Sequence, residues 1–133
     1  MILALKTAGE TSELYLLKGG SDSKPNVVNE NKWQAGRELA KTLLVKIEEL
    51  LDGRSFNEID GLIVFTGPGS FTGLRIGITT VNTIAYSENI PIVGVSGNNW
   101  LEEGLKKLNN GEHDNIVTPN YGAEPNITIK KTK

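Results

Sequence analysis

A fully apolar run that ends in a glycine-rich loop constrains this chain more than any other feature. Asp60-Gly-Leu-Ile-Val-Phe-Thr66 is apolar throughout between its polar ends, and Gly67-Pro-Gly-Ser-Phe-Thr-Gly73 follows directly. A strand with no polar alternation must be covered on both faces, which predicts an α/β sheet with parallel pairing. The stretch after the loop, Leu74 to Glu88, carries charge only at Arg75 and Glu88. Its β-branched residues (Ile76, Ile78, Thr79, Thr80, Val81, Thr83, Ile84) favour strand locally. Length and the need for a crossover between two buried parallel strands predict a helix instead. A helix with so little polar surface is covered on more than one side or serves as a binding face.

The rest of the chain fits around that unit. Ile2-Leu-Ala-Leu5 and Ser12-Glu-Leu-Tyr-Leu-Leu-Lys18 read as a hairpin with Gly9 in its loop. A turn cluster spans residues 19–25, and Val27-Val28 mark a weak third strand. From about Asn31 the spacing of Ala40, Leu43, Leu44, Ile47, Leu50 and Leu51 predicts a helix of about 20 residues, closed by Gly53. Pro91-Ile-Val-Gly-Val95 reads as a further buried strand, and Trp100 to Leu108 as a last helix capped by Asn98 or Asn99. The order β-β-β-α-β-α-β-α gives a mixed sheet with helices on both faces. Residues 1–111 make one lobe, and residues 112–133 a short C-terminal remnant. In that remnant Ile116-Val117 and Ile127-Thr-Ile129 suggest short strands, 120–122 and 124–126 turns, and Lys130–Lys133 a frayed end.

Composition narrows the chemistry. There is no cysteine and one histidine, His113, in a polar loop. That excludes a zinc site of three or four His/Cys ligands and leaves Ser70 without a positioned base. The glycine loop misses the phosphate-binding patterns: position 72 is Thr where either G-x-G-x-x-G or the P-loop needs Gly, and no lysine follows. Its alternative reading is a tight turn in which Gly73 and Gly77 let the helix approach the sheet. The carboxylates are scattered, and Lys6 stands just after the first strand, where Mg²⁺-dependent phosphotransfer of the actin-like kind needs an acid. No metal, cofactor or catalytic set is expected. A net charge of −2 with dispersed basic residues argues against direct tRNA or membrane binding. Five apolar residues before Lys6 are too few for a signal segment, so the expected location is cytoplasmic.

Ile2-Leu-Ala-Leu with Thr7, the amphipathic first helix, Asp60 to Gly77, and Asn89-Ile-Pro-Ile-Val-Gly-Val-Ser96 together resemble the TsaB (YeaZ) family, across about residues 1–108. This is the Gcp-like group of the actin/Hsp70/sugar-kinase superfamily. The resemblance implies the first lobe of that fold, a ribonuclease-H-like (actin-like ATPase) β3αβαβα unit, with the second lobe largely missing. It also implies a non-catalytic subunit that props a TsaD-type enzyme in placing threonylcarbamoyl on adenosine 37 of tRNA. Contact with a TsaE-type ATPase and a homodimer come with it, and tRNA is met only through the complex. By the same resemblance, the glycine loop is Gly67, Pro68, Gly69, Ser70, Phe71, Thr72 and Gly73, braced by Arg75. The partner interface takes Trp33, Arg37, Glu38, Lys41 and Leu44 from the first helix, and Ile78, Thr79, Asn82 and Tyr86 from the second. Lys6 replaces the family's usual Asp, and Gly36-Arg-Glu38 its usual His-Ser-Glu. The Val117-Thr-Pro-Asn-Tyr121 segment resembles the Pro-x-Tyr end of full-length relatives. The alternative is an actin-like ATP-binding or phosphotransfer domain; a peptidase is disfavoured by the missing metal ligands.

Overall fold

The computed structural model describes residues 1–19 and 24–119. The turns at 120–122 and 124–126, the strand at 127–129, the end at 130–133 and the middle of the 19–25 cluster lie outside the described residues.

Five strands form one mixed sheet in the order β3-β2-β1-β4-β5. The strands are β1 (Ile2–Lys6), β2 (Thr11–Leu17), β3 (Val27–Gln34), β4 (Gly61–Phe65) and β5 (Ile92–Val95). β1 pairs antiparallel with β2 and β2 with β3, while β1–β4 and β4–β5 are parallel. The helices are α1 (Leu39–Leu51), α2 (Phe71–Glu88) and α3 (Trp100–Asn109). α1 and α2 each return the chain from one strand to the next, the crossover that parallel pairing requires, and α3 follows β5.

Alternation along the strands sorts the two faces. Gly61, Ile63 and Phe65 of β4 turn toward α3: Leu108 lies over Gly61, Gly104 over Ile63, and Trp100 meets Phe65 edge-on at 5.9 Å. The opposite face of β4 and β1, with Leu62, Val64, Leu3 and Leu5, lies under α1 and α2. All of these strand residues are buried, so the prediction of a sheet covered on both faces holds at its centre.

The first helix is shorter than predicted. β3 runs to Gln34, a single 3-10 turn covers Gly36–Glu38, and α1 begins at Leu39. Trp33 is therefore a strand residue. β3 is an edge strand with alternating exposure, and its polar residues hid its length in the sequence. Asn29, Asn31 and Trp33 face α1, where Asn29 Nδ2 donates to the Leu50 carbonyl at 3.0 Å and Trp33 Nε1 donates to Thr42 Oγ1 at 3.1 Å. Pairing with β2 overrides the weak strand propensity of Asn and Glu. At its far end α1 closes with Asp52 in the left-handed region, φ 50°, followed by Gly53.

α2 is a helix of 18 residues, beginning three residues earlier than predicted, with Ser70 as its N-cap. Asn99 precedes α3 but its side chain makes no capping bond. Ile116-Val117 is not a strand. Residues 113–117 lie along the outer edge of β5, with Val117 buried.

Candidate partner interface

The glycine loop is built for close packing. A Cβ on Gly69 would sit 2.6 Å from the Ala8 carbonyl oxygen, and one on Gly73 2.5 Å from that of Thr7. A Cβ on Gly77 would strike the Thr7 hydroxyl. The Ser70 amide donates to the Ala8 carbonyl at 2.7 Å, and Ser70 Oγ accepts from the Gly73 amide at 3.5 Å. The turn after β1 therefore packs directly against the loop and the first turns of α2, the close approach that the tight-turn reading expects.

The outer side of α2 is the exposed surface this packing fixes. Phe71, Thr72, Arg75, Ile76, Thr79 and Thr80 line a shallow hollow of about 370 Å³. Phe71 is 54% exposed, and the Arg75 guanidinium lies over its ring at 5.4 Å, where the end of the loop passes into α2. Thr80 Oγ1 donates to the Ile76 carbonyl at 2.8 Å and Thr83 Oγ1 to that of Thr79 at 2.9 Å. With those hydroxyls turned back on the helix, the face presents methyl groups. Tyr86, 92% exposed, extends it toward the C-terminal end.

α1 flanks this surface. Its Thr42 and Lys46 side faces β3, with Lys46 Nζ 6.0 Å from the Trp33 ring. Helical phase then turns Ala40 and Leu44 toward α2. Leu44 is 61% exposed, and Val45 beside it is also exposed. Glu38 and Lys41 pair at 3.5 Å in solvent. Arg37, Gly36 and Leu39 line a cleft of about 470 Å³ that they share with Ser70, Thr72, Gly73 and Ile76 of the loop and α2.

The predicted interface residues therefore divide. Lys41, Leu44, Thr79 and Tyr86 lie on the exposed sides of α1 and α2, and Arg37 and Glu38 in the 3-10 turn just before α1. Ile78 does not: it is 3% exposed and belongs to the core. Asn82 is engaged within the chain, its amide bonded both ways to the Val117 backbone at 2.9 and 3.0 Å. Trp33 is tucked against Thr42 on the side of α1 away from α2. Sequence reading missed Ile76, Thr80 and Val45; with β-branched residues all round α2, nothing marked its phase.

Chemically reactive groups are kept apart. Ser70 follows the C-terminal end of β4, whereas His113 is bonded to Ile92 at the start of β5, the opposite end of the sheet. Lys6 Nζ stands 4.6 Å from the Phe65 ring centroid. Among the described residues no group of three His, Asp or Glu side chains could hold a metal ion, and no helix is long and apolar enough to cross a membrane.

The family model described as "TsaD: tRNA N6-adenosine threonylcarbamoyltransferase" matches residues 28–121. The chain is 30% identical over 114 residues to the tRNA threonylcarbamoyladenosine biosynthesis protein TsaB of Haemophilus influenzae, covering 84% of this chain and 46% of that protein. The TsaB of Escherichia coli is 33% identical over 110 residues, 81% of this chain and 45% of its own length. Among solved structures, YeaZ from Pseudomonas aeruginosa superposes with a TM-score of 0.61 at 32% identity, over 71% of this chain and 43% of that one. The chain belongs to the TsaB (YeaZ) family. It shares the actin-like ATPase-type α/β fold of that family, and it spans about half the length of the curated relatives it matches.

Proposed function

We propose that the chain is a non-catalytic partner subunit for a TsaD-type enzyme in the biosynthesis of threonylcarbamoyladenosine in tRNA. The observation that carries this reading is the outer face of α2, where Phe71, Ile76, Thr79, Thr80 and Thr83 are at least partly exposed and the helix's own charge is limited to Arg75 and the terminal Glu88. Water gains little from such a surface, and burying it against a partner is favourable at about 25 cal/mol per Å² of apolar area. The names of the curated relatives support the pathway, and the separation of Ser70 from His113 supports a supporting role over a catalytic one. The heterodimer forms through α1 and α2; a homodimer and contact with a TsaE-type ATPase belong to the same reading. The protein works in the cytoplasm and meets tRNA through the complex, since a chain of net charge −2 offers phosphates little attraction.

The test is size-exclusion chromatography of the purified chain mixed with the TsaD-type protein of the same organism, each at micromolar concentration. Co-elution in a single earlier peak is expected. Separate elution overturns the proposal, as does ATP turnover by the chain alone.

A further inference from the structure

β5 is the last strand of the sheet, and its outer side would be an open edge. The outward groups of its residues 92 and 94 are nevertheless all engaged. The Ile92 amide donates to His113 Nδ1 at 3.0 Å, and the Ile92 carbonyl accepts from the Asp114 amide at 2.8 Å. The Gly94 amide donates to Asp114 Oδ2 at 2.8 Å, and its carbonyl accepts from Lys107 Nζ at 2.9 Å. Farther along, Val117 packs into the notch over Gly94, where a Cβ would lie 2.7 Å from Val117 Cγ1. Asn82 of α2 holds the Val117 backbone from the other side. Residues 113–117 thus form a strap with two anchors: a dry one at Val117 and an exposed one at His113.

We propose that His113 is a proton-operated latch on this edge. Nδ1 can accept the Ile92 amide only while its lone pair is free. The Asn115 amide also faces Nδ1, at 3.4 Å. A protonated imidazole carries hydrogen on both nitrogens, so Nδ1 then opposes two donors with a third. Across one hollow, His113 shares walls with Met1, Lys18, Asp60 and Glu112, and there the Met1 ammonium already pairs with Asp60 at 2.8 Å. On the α2 side the titratable neighbour is Tyr86, and on the α3 side Lys107 is committed to Gly94. The Asp114 carboxylate is taken by the Gly94 amide. Among the described residues no carboxylate is hydrogen-bonded to His113. Protonation therefore removes the Ile92 bond, while the two Asp114 bonds, the Lys107 bond and the Val117 anchor remain, so the edge opens at Ile92 alone.

Amide hydrogen exchange on the full chain, followed by NMR between about pH 8 and about pH 5.5, tests this. In the wild type, protection at Ile92 is expected to fall by about tenfold or more as the His113 ring protonates, while Gly94, Leu62 and Val64 keep theirs. H113N places an amide oxygen near the Nδ1 position without a titrating ring, so its Ile92 amide should stay protected across the range. H113A should be unprotected there throughout. Unchanged protection in the wild type overturns the proposal. So does an acid loss in H113N equal to the wild type's, an Ile92 amide in H113A as protected as the wild type's, or a loss that runs in parallel at Val64.

Discussion

The Thr7 hydroxyl, buried at the end of β1, donates to the Gly73 carbonyl at 2.7 Å, and the Thr7 side chain lies against the space where a Gly77 side chain would be. One threonine thus fixes the height of α2 above the sheet. In an exposed helix interior, replacing Gly by Ala gains about 1 kcal/mol from propensity. At Gly73 the added methyl meets a backbone oxygen at 2.5 Å, and a backbone has no rotamer with which to yield. Overpacking of this kind costs about 1–3 kcal/mol, so the clash outweighs the propensity. G73A is expected to lower the midpoint of urea unfolding, and a midpoint at or above that of the wild type would show that the loop has slack. This role of the glycines was legible in the sequence because two failed phosphate patterns left close packing as their use. That Thr7 is the residue approached was not legible, because it depends on which strand lies beneath the helix.

At the scale of elements, legibility followed burial. The β4–loop–α2–β5 unit could be read because an unbroken apolar run, a glycine turn and a second apolar run admit few arrangements. β3 is marked only at its start, by Val27-Val28: from about Asn31 the spacing assigns the residues to the first helix, and only their pairing with β2 makes them strand. The loss of two turns from the predicted first helix places Trp33 in β3, against Thr42 on the side of α1 away from α2. On α2 the sequence shows a helix poor in charge but leaves its phase open, because Ile78 and Thr79 are equally plausible outward residues in a β-branched stretch. The structure separates them. I78D buries a carboxylate without a partner, and its destabilisation by several kcal/mol should abolish the cooperative unfolding transition. T79R places its charge in solvent on the outer face, so thermal unfolding should stay within about 0.5 kcal/mol of the wild type. Co-elution of T79R with the TsaD-type partner should nonetheless fall by at least about tenfold in affinity, through desolvation of the added guanidinium. A T79R chain that binds as well as the wild type places the contact elsewhere on the molecule.

At the scale of the whole molecule the two faces of the sheet are covered unequally. α1 and α2 lie side by side on one, and α3 alone covers β4 and β5 on the other. Where α3 ends its cover, Trp100 meets Tyr15 and Phe65, each with ring centroids 5.9 Å apart, and the Lys32 ammonium stands 5.7 Å from the Tyr15 ring. The Tyr15 hydroxyl donates to Glu13 Oε1 at 2.6 Å. Burial first, then the hydrogen bond and negative charge of Glu13, with Glu30 adding to them, hold the Tyr15 phenol well above the usual tyrosine range. The consequence is a stability that depends on alkaline pH with a definite sign. Below about pH 10 the phenol is protonated in folded and unfolded chains alike, and its contribution is fully present. Above that, the unfolded chain gives up its proton while the folded chain retains it, so the folded state binds more protons and stability falls as pH rises. Lysines titrate in the same region, so the wild-type curve alone does not isolate the phenol. Y15F removes it while keeping the ring between Trp100 and Lys32. Urea unfolding of both chains from about pH 8 to about pH 11 should show a wild type that loses stability more steeply above pH 10 than Y15F does. Parallel curves would mean that the unequal cover of the sheet leaves Tyr15 as free to ionise when folded as when unfolded.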